Sequence, residues 1–137
     1  MTFLLDTNVL AELRKPRPRA SVAAWFDSVD GSQLYLSVLV LGEIQQGVAR
    51  LRRRDSQQAA VFDAWLGTLR RDFSDRLLPV NEAVALEWGT LNAGDPLPAI
   101  DGLLAATARV FGLTVVTRNV DHFARTGVSV LDPFAAT

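Results

Sequence analysis

The first ten residues, MTFLLDTNVL, carry the first indication of both the fold and a site. Residues 3–5 form an apolar run typical of a short buried strand, and residues 9–10 are apolar again. The polar trio Asp6, Thr7 and Asn8 lies between these segments, where polar side chains are costly unless they have partners. This stretch predicts a strand that ends in a polar site.

Short apolar runs alternate with helical patterns along the rest of the chain. The alternation predicts an α/β fold with a short, mostly parallel central sheet and helices on both faces. We expect strands at residues 2–5, 34–36, 77–80, 113–116 and 128–131. We expect helices at residues 8–14, after Ser21, at 39–54, at 56–72, from Asn81 to near Gly94, and from Pro98 to Phe111.

Several helix ends carry recognisable signals. Ser21 and Asn81 are expected to cap the helices that follow them, because short polar side chains accept hydrogen bonds from free helical N–H groups. Pro98 suits the first helical position, where its missing N–H does no harm. Gly112 is expected to end its helix, and Pro16 and Pro18 stop the first one.

The composition fits a single domain spanning residues 1–137. Hydrophobic residues make up 49% of the chain, which is enough for a core without covalent staples. The chain has no cysteine, which excludes disulfides, thiolate zinc sites and cysteine nucleophiles. No apolar run approaches the roughly 20 residues of a membrane span. We therefore expect a soluble, cytoplasmic protein that makes no membrane contact.

The basic residues are clustered although the formal net charge is only −1. Lys15 is the only lysine, and the arginines concentrate at residues 14–19, 50–54 and 70–71. Arginine suits bidentate contacts with phosphate or carboxylate. Two explanations stay open for these clusters: solvated helix ends, or contacts with an acidic partner such as nucleic acid or an acidic protein segment.

Three acidic residues occupy positions where carboxylates are unusual. Asp6 directly follows the first strand, while Glu43 and Asp101 lie on helical faces with apolar neighbours. Buried carboxylates seldom occur without a partner, and no Lys or Arg is spaced to pair with these locally. Ligands bind outside the carboxyl ends of parallel strands, where Asp6 and residues 117–121 are expected to lie.

Structural explanations exist for most of these acids taken singly. Asp6 could simply cap the first helix, Asp101 in a first helical turn gains from the helix dipole, and Asp121 fits a turn or cap. A mid-helix acid such as Glu43 gains little from either effect.

Carboxylates that converge require a cation. Two like charges about 4 Å apart repel by roughly 4 kcal/mol at an effective dielectric near 20. Oxygen ligands without His or Cys favour Mg²⁺ or Mn²⁺ over zinc. Such a site activates water and stabilises charge on a phosphate, so the chemistry indicated is phosphodiester hydrolysis.

Four motifs carry a family resemblance over nearly the whole chain. They are LLDTNVL (residues 4–10), LSVLVLGE (36–43), IDGLLAATA (100–108) and VTRN (116–119). Together they resemble PIN-domain nucleases, and more narrowly VapC-type toxins of the FitB-like branch. The first and third motifs are specific as a pair.

The resemblance implies roles for individual side chains. Asp6 and Asp101 would bind the metal directly, and Glu43 would bind metal or position the attacking water. Thr7, Asn8 and Thr117 are expected to support these acids by hydrogen bonds.

The fourth acidic position departs from the family pattern. Relatives often carry an acid after Thr-Arg, where this chain has Asn119, or a little further on, where Asp121 and His122 stand. Asn119 or Asp121 would complete the catalytic set. His122, the only histidine, is either structural or a general base.

The resemblance implies a Mg²⁺-dependent endoribonuclease, with Mn²⁺ as a possible substitute, that acts as the toxin of a toxin–antitoxin pair. It further implies a homodimer with RNA as substrate, held inactive by a VapB-like antitoxin whose tail covers the acidic groove. The alternative is a PIN fold kept as an RNA- or protein-binding module with degraded catalysis.

Overall fold

A computed structural model describes residues 1–135 of the chain. Its strands are β1 (Phe3–Leu5), β2 (Leu34–Ser37), β3 (Leu77–Leu78), β4 (Thr114–Val116) and β5 (Val130–Leu131). Its α-helices are α1 (Thr7–Leu13), α2 (Ala20–Ser28), α3 (Val38–Arg52), α4 (Ser56–Asp72), α5 (Glu82–Leu91), α6 (Ala99–Phe111) and α7 (Val120–Phe123). Two short 3₁₀ turns, Gly31–Gln33 and Ala124–Thr126, lie between these elements. Within the described residues no helix is long and apolar enough to cross a membrane.

The five strands form one parallel sheet in the order β3-β2-β1-β4-β5. Right-handed crossovers place α1 to α4 on one face of the sheet, because the chain moves from β1 outward to β3. The chain then returns across the sheet to β4, which places α5, α6 and α7 on the other face. The contacts agree, since α3 packs on α4 and α1, and α6 packs on α5 and α7.

The direction of winding reverses between β1 and β4, which are adjacent in the sheet. Phe3 is in register with Thr114, and Leu5 with Val116, so the two strands end side by side. In open α/β sheets such a switch point leaves a crevice beyond the carboxyl ends of the strands. Asp6 and Thr117, which follow these two strands directly, lie at its floor.

The core holds the floor of this crevice in place. Leu4, Leu5, Leu36, Val115 and Val116 on the strands are at most 1% exposed. Burying a side chain of this kind contributes about 1.5–3 kcal/mol each. The strands are short and continuously apolar because both faces of a parallel sheet are covered by helices.

Most sequence predictions of the elements are confirmed, with ends that agree within two residues apart from the two corrections below. Helix α4 covers the predicted residues 56–72, and the Asn81 side chain accepts a hydrogen bond from the Val84 N–H at 2.9 Å. Gly112 ends α6 with φ 69°, a left-handed conformation that favours glycine. Pro98 precedes α6 as its N-cap instead of occupying the first helical position.

Two predictions of helix ends are wrong. Ser21 does not cap α2: the helix begins at Ala20, and the buried Ser21 hydroxyl has no hydrogen-bond partner in the described residues. The carboxylate of Glu12 accepts a bond from the Arg19 backbone N–H at 2.9 Å, which fixes the helix entry before Ser21.

Helix α5 ends at Leu91 and not near Gly94. The Asn92 side chain explains the early end, since it donates to the Trp88 carbonyl at 2.8 Å and accepts from the Leu97 N–H at 2.8 Å. These two bonds turn the chain toward α6.

Candidate active site

Asp6 serves both as a helix cap and as the floor of the site. One carboxylate oxygen, Oδ1, accepts a hydrogen bond from the Thr7 backbone N–H at 2.7 Å. The other, Oδ2, accepts from the Thr117 hydroxyl at 2.8 Å and from the Asn8 amide at 3.4 Å. Asp6 is only 6% exposed, and burial raises the pKa of its carboxyl despite these donors. The nearby charge of Asp101 raises it further.

Glu43 reaches the same crevice from the second turn of α3. The Thr7 hydroxyl donates to Glu43 Oε1 at 2.7 Å, so Thr7 connects the α1 start to α3. Partial burial raises the pKa of the Glu43 carboxyl, and the charges of Asp6 and Asp101 add to the rise. The three acids are therefore close enough for their charges to interact.

Asp101 enters from the opposite face of the sheet, in the first turn of α6. Its carboxylate oxygen Oδ2 lies 2.7 Å from Nδ1 of His122, which α7 carries. The Asp101 side chain is 17% exposed and that of His122 is 49% exposed. Asp101 thus lies inside the crevice, and His122 lies at its rim.

Thr7, Asn8 and Thr117 form the hydrogen-bonded support that the sequence predicts for these positions. Besides its bond to Asp6, the Asn8 amide lies 3.4 Å from the Thr117 hydroxyl, and its carbonyl oxygen accepts from the Arg118 N–H at 3.2 Å. The loop after β1 is in this way tied to the loop after β4. Thr117 is fully buried, so its hydroxyl has a fixed position.

Comparison with known proteins decides the family. A model of the PIN domain matches residues 3–128. The chain belongs to the PIN-domain family. The α/β fold with a parallel sheet, expected from the alternation of apolar runs and helical patterns, is observed.

Two characterised relatives span nearly the full chain. The PIN domain is 34% identical to toxin FitB of Neisseria gonorrhoeae over 137 residues, covering 96% of this chain and 98% of that protein. It is 31% identical to VapC ribonuclease Y4jK of Sinorhizobium fredii, covering 96% and 97%.

Solved structures agree with this assignment. The crystal structure of FitAcB from Neisseria gonorrhoeae superposes with a TM-score of 0.89 at 34% identity, covering 98% of this chain and 100% of that chain. The structure of FitAB bound to an IR36 DNA fragment also gives 0.89, at 32% identity, covering 99% and 98%. The resemblance to VapC-type toxins of the FitB-like branch is therefore confirmed.

Asn119 and Asp121, the two candidates for the fourth acidic position, both lie at the protein surface. The side chains of Asn119 and Asp121 are exposed, and neither makes a hydrogen bond or ion pair within residues 1–135. Asn119 contributes through its backbone N–H, which donates to the Thr117 hydroxyl at 3.0 Å. Their catalytic roles stay predictions.

His122 is the site residue whose role the sequence left open, either structural or a general base. The only available signal was its position next to Asp121 in the turn after β4, and a turn does not reveal which neighbour faces the acids. In the PIN domain it is His122 that contacts Asp101.

No lysine or arginine in the described residues neutralises the three acids. In the part of the chain that the structure describes, no Lys or Arg lies within ion-pair distance of Asp6, Glu43 or Asp101. Arg14 instead stacks over the Phe62 ring, its guanidinium 4.2 Å from the ring centroid.

The donor set suits a hard divalent cation. Within residues 1–135 no three Asp, Glu or His side chains are already close enough to hold one ion by themselves. Mg²⁺ does not require such a cage, because it retains several waters and is commonly bound through one or two carboxylates. Asp6, Glu43 and Asp101 offer only oxygen atoms, and burial, with a smaller contribution from the neighbouring acids, raises the pKa of the Asp6 and Glu43 carboxyls. The residues therefore fit Mg²⁺ or Mn²⁺ with waters completing its shell.

A groove of about 480 Å³ adjoins the acids. It shares Thr7 with the acidic crevice, and Phe62 and Trp65 form part of its wall. Two arginines of the cluster at residues 50–54, Arg50 and Arg54, line it as well. The groove is therefore largely apolar, has two arginines in its lining, and shares Thr7 with the acidic crevice.

Proposed function

We propose that this PIN domain is a Mg²⁺-dependent endoribonuclease that hydrolyses RNA phosphodiester bonds and acts as the toxin of a toxin–antitoxin pair. One observation carries the proposal: within the described residues, Asp6, Glu43 and Asp101 converge at the switch point of the sheet without a Lys or Arg partner. The names of the relatives support it, since one is a toxin and another a VapC ribonuclease.

Asp6, Asp101 and Glu43 would hold the ion, and Mn²⁺ would fit the same oxygen ligands. When bound, such an ion polarises a phosphate, lowers the pKa of a bound water and shields the leaving oxygen. The protein contributes the fixed orientation of the carboxylates. Asp6 is held by three donors, so its direction is set before any ion or substrate binds.

Glu43 has a second task in this proposal. Thr7 occupies Oε1, which leaves Oε2 without a hydrogen-bond partner in the described chain. A carboxylate held by one oxygen can orient an attacking water with the other. Asn119 or Asp121 would complete the catalytic set by contacting the substrate or the ion.

RNA would approach along the groove beside Thr7. Arg50 and Arg54 line this groove and would contact RNA phosphates there, and such contacts weaken as salt rises. The wall residues Phe62 and Trp65 are suited to pack against a base.

The partner and assembly are inferred from the relatives. The similar solved structures contain FitAB complexes, so we propose a VapB-like antitoxin for this chain, with a tail that covers the acidic groove. We also propose a homodimer and a cytoplasmic location, as the resemblance implies.

Cleavage of a mixed RNA pool tests the proposal. Purified protein is incubated with the pool in Mg²⁺, in Mn²⁺ and in EDTA, beside folded Asp6→Asn and Asp101→Asn variants. The proposal predicts cleavage that requires the metal and is lost in both variants. Binding of RNA without cleavage in either metal would instead favour the alternative, a module with degraded catalysis.

A further inference from the structure

The Asp101 carboxylate depends on a single hydrogen-bond partner in the described chain. Asp6 receives bonds from three groups and Glu43 from Thr7, whereas Asp101 contacts only Nδ1 of His122, at 2.7 Å. We propose that His122 is the positioning residue of Asp101 and takes the place that a fourth acid would occupy. The inference rests on the proposed function, because it concerns the same site.

The backbone around His122 is fixed at both ends of α7. The His122 N–H donates to the Asn119 carbonyl at 3.1 Å, and the next residue, Phe123, is fully buried. The Thr126 hydroxyl donates to the Phe123 carbonyl at 2.6 Å. The imidazole therefore projects from an anchored turn.

The same turn is fastened to the helix that carries Asp101. Arg109 of α6 donates from Nη1 to the Thr126 carbonyl at 3.1 Å and from Nε to Glu87 of α5 at 2.7 Å. Asp101 lies on α6 and His122 on α7. The Arg109–Thr126 bond, about two turns after Asp101, connects α6 to the segment that follows α7. The fold therefore holds the backbones of these two residues within reach of each other.

The two other residues at the fourth position cannot perform this task as they lie. The side chains of Asn119 and Asp121 are exposed and make no hydrogen bond within residues 1–135. A carboxylate in place of His122 would also repel Asp101, by roughly 4 kcal/mol for charges about 4 Å apart. An imidazole N–H orients the carboxylate without that repulsion.

The contact determines the tautomer of His122. An ionised carboxylate only accepts hydrogen bonds, so Nδ1 must carry the hydrogen that is shared with Asp101. In the neutral ring Nε2 is then the unprotonated nitrogen. The Nε2–H tautomer would leave two acceptors facing each other at 2.7 Å.

Imidazole nitrogen NMR tests this directly, without metal or RNA. His122 is the only histidine, so a tag-free protein gives a single imidazole spin system that needs no assignment. In alkaline EDTA buffer we expect the Nδ1–H tautomer, and a shift toward Nε2–H in Asp101→Asn, where the amide can donate. A wild-type spectrum of the Nε2–H tautomer would overturn the proposal, whatever the protein does to RNA.

Substitutions provide the functional readout. Asn places an N–H near the position of Nδ1, whereas Gln places one near Nε2. We expect His122→Ala and His122→Gln to cleave RNA about 10–100-fold more slowly at limiting metal, and His122→Asn to stay within several-fold of wild type. Asp63→Asn, an exposed acid on α4, is the control and should be unaffected.

Equal loss in His122→Asn and His122→Gln would show a structural role only and would overturn positioning through Nδ1. Full activity of His122→Ala would overturn it as well. If wild-type protein cleaves no RNA, the proposed function fails, while the tautomer measurement still decides whether His122 orients Asp101.

Discussion

The Thr117 hydroxyl donates a 2.8 Å hydrogen bond to Asp6 Oδ2 across the switch point of the sheet. These two residues follow adjacent parallel strands, and Thr117 is fully buried. The bond connects the loop after β1 to the loop after β4, beside Glu43 and Asp101. It makes Thr117 a test of whether the carboxylates must be held in one orientation.

Thr117→Val removes this donor while keeping the shape of the side chain. We expect a loss of about 1–3 kcal/mol in unfolding free energy, because Asp6 stays buried with one fewer donor. We also expect a roughly 10–100-fold loss of metal affinity or activity. Denaturant unfolding and calorimetric Mn²⁺ titration measure the two effects.

Thr107→Val is the matched control, since Thr107 is equally buried on α6 but donates to the Leu103 carbonyl of its own helix. Its metal affinity should equal that of wild type. An identical loss of metal affinity in both variants would mean that the Thr117–Asp6 bond has no special role.

The raised pKa values of Asp6 and Glu43 predict how stability depends on pH. Between the ordinary values, 3.8 and 4.5, and the higher folded-state values, the folded protein holds protons that the unfolded chain has released. The free energy of unfolding therefore falls as pH rises through this window. In EDTA, Asp6→Asn should gain stability relative to wild type from about pH 4 upward, and saturating Mg²⁺ should reduce the gain.

Thermal unfolding of both proteins across pH, with and without Mg²⁺, checks this prediction. The difference between the two proteins isolates Asp6, because the other acids with shifted pKa values, such as Glu12 and Asp30, are common to both. A difference that does not change with pH would contradict the assigned direction.

The groove arginines predict the salt dependence of RNA binding. Arg54→Ala should weaken binding of a non-cleaved RNA and reduce the slope of log affinity against log salt by about 1, as expected for one lost phosphate contact. Arg70→Ala changes an exposed arginine that does not line the groove and should leave the slope unchanged. Fluorescence anisotropy over a salt series measures both, and equal slopes would place the RNA elsewhere.

Replacing glycine by alanine is expected to have opposite effects on stability at Gly42 and Gly102, the glycines next to Glu43 and Asp101. At Gly102 an added Cβ would lie 3.0 Å from the Asn92 amide and 3.2 Å from the Trp88 ring, so Gly102→Ala should destabilise the fold by about 1–3 kcal/mol. At Gly42 an added Cβ meets nothing within 4 Å, and alanine should stabilise α3 by roughly 0.5–1 kcal/mol. Urea unfolding compares the two; a stabilising Gly102→Ala would refute the close approach of α5 and α6.

The sequence predicts the fold well because its signals are local. An apolar strand ending in Asp6, the Asn81 cap and the left-handed Gly112 each follow from neighbouring residues. The prediction that Ser21 caps α2 was wrong because the Glu12 side chain, which precedes the loop, fixes the start of that helix.

The candidate site can be predicted only in part from the sequence, because some of its contacts join elements that are distant in the chain. Asp6, Glu43 and Asp101 were recognised from the sequence because each is an acid with apolar neighbours. The choice between Asp121 and His122 depends on which side of a four-residue helix faces α6, and periodicity over one turn cannot decide that.

Mn²⁺ binding followed by electron paramagnetic resonance tests the central claim, that Asp6, Glu43 and Asp101 form one metal site. Titrations would compare wild type with Asp6→Asn, Glu43→Gln and Asp101→Asn, and with Asp63→Asn, an exposed acid on α4, as control. We predict binding that each of the three substitutions weakens at least about 10-fold and that the control leaves unchanged. Wild-type affinity retained by folded Asp6→Asn and Asp101→Asn would contradict the account.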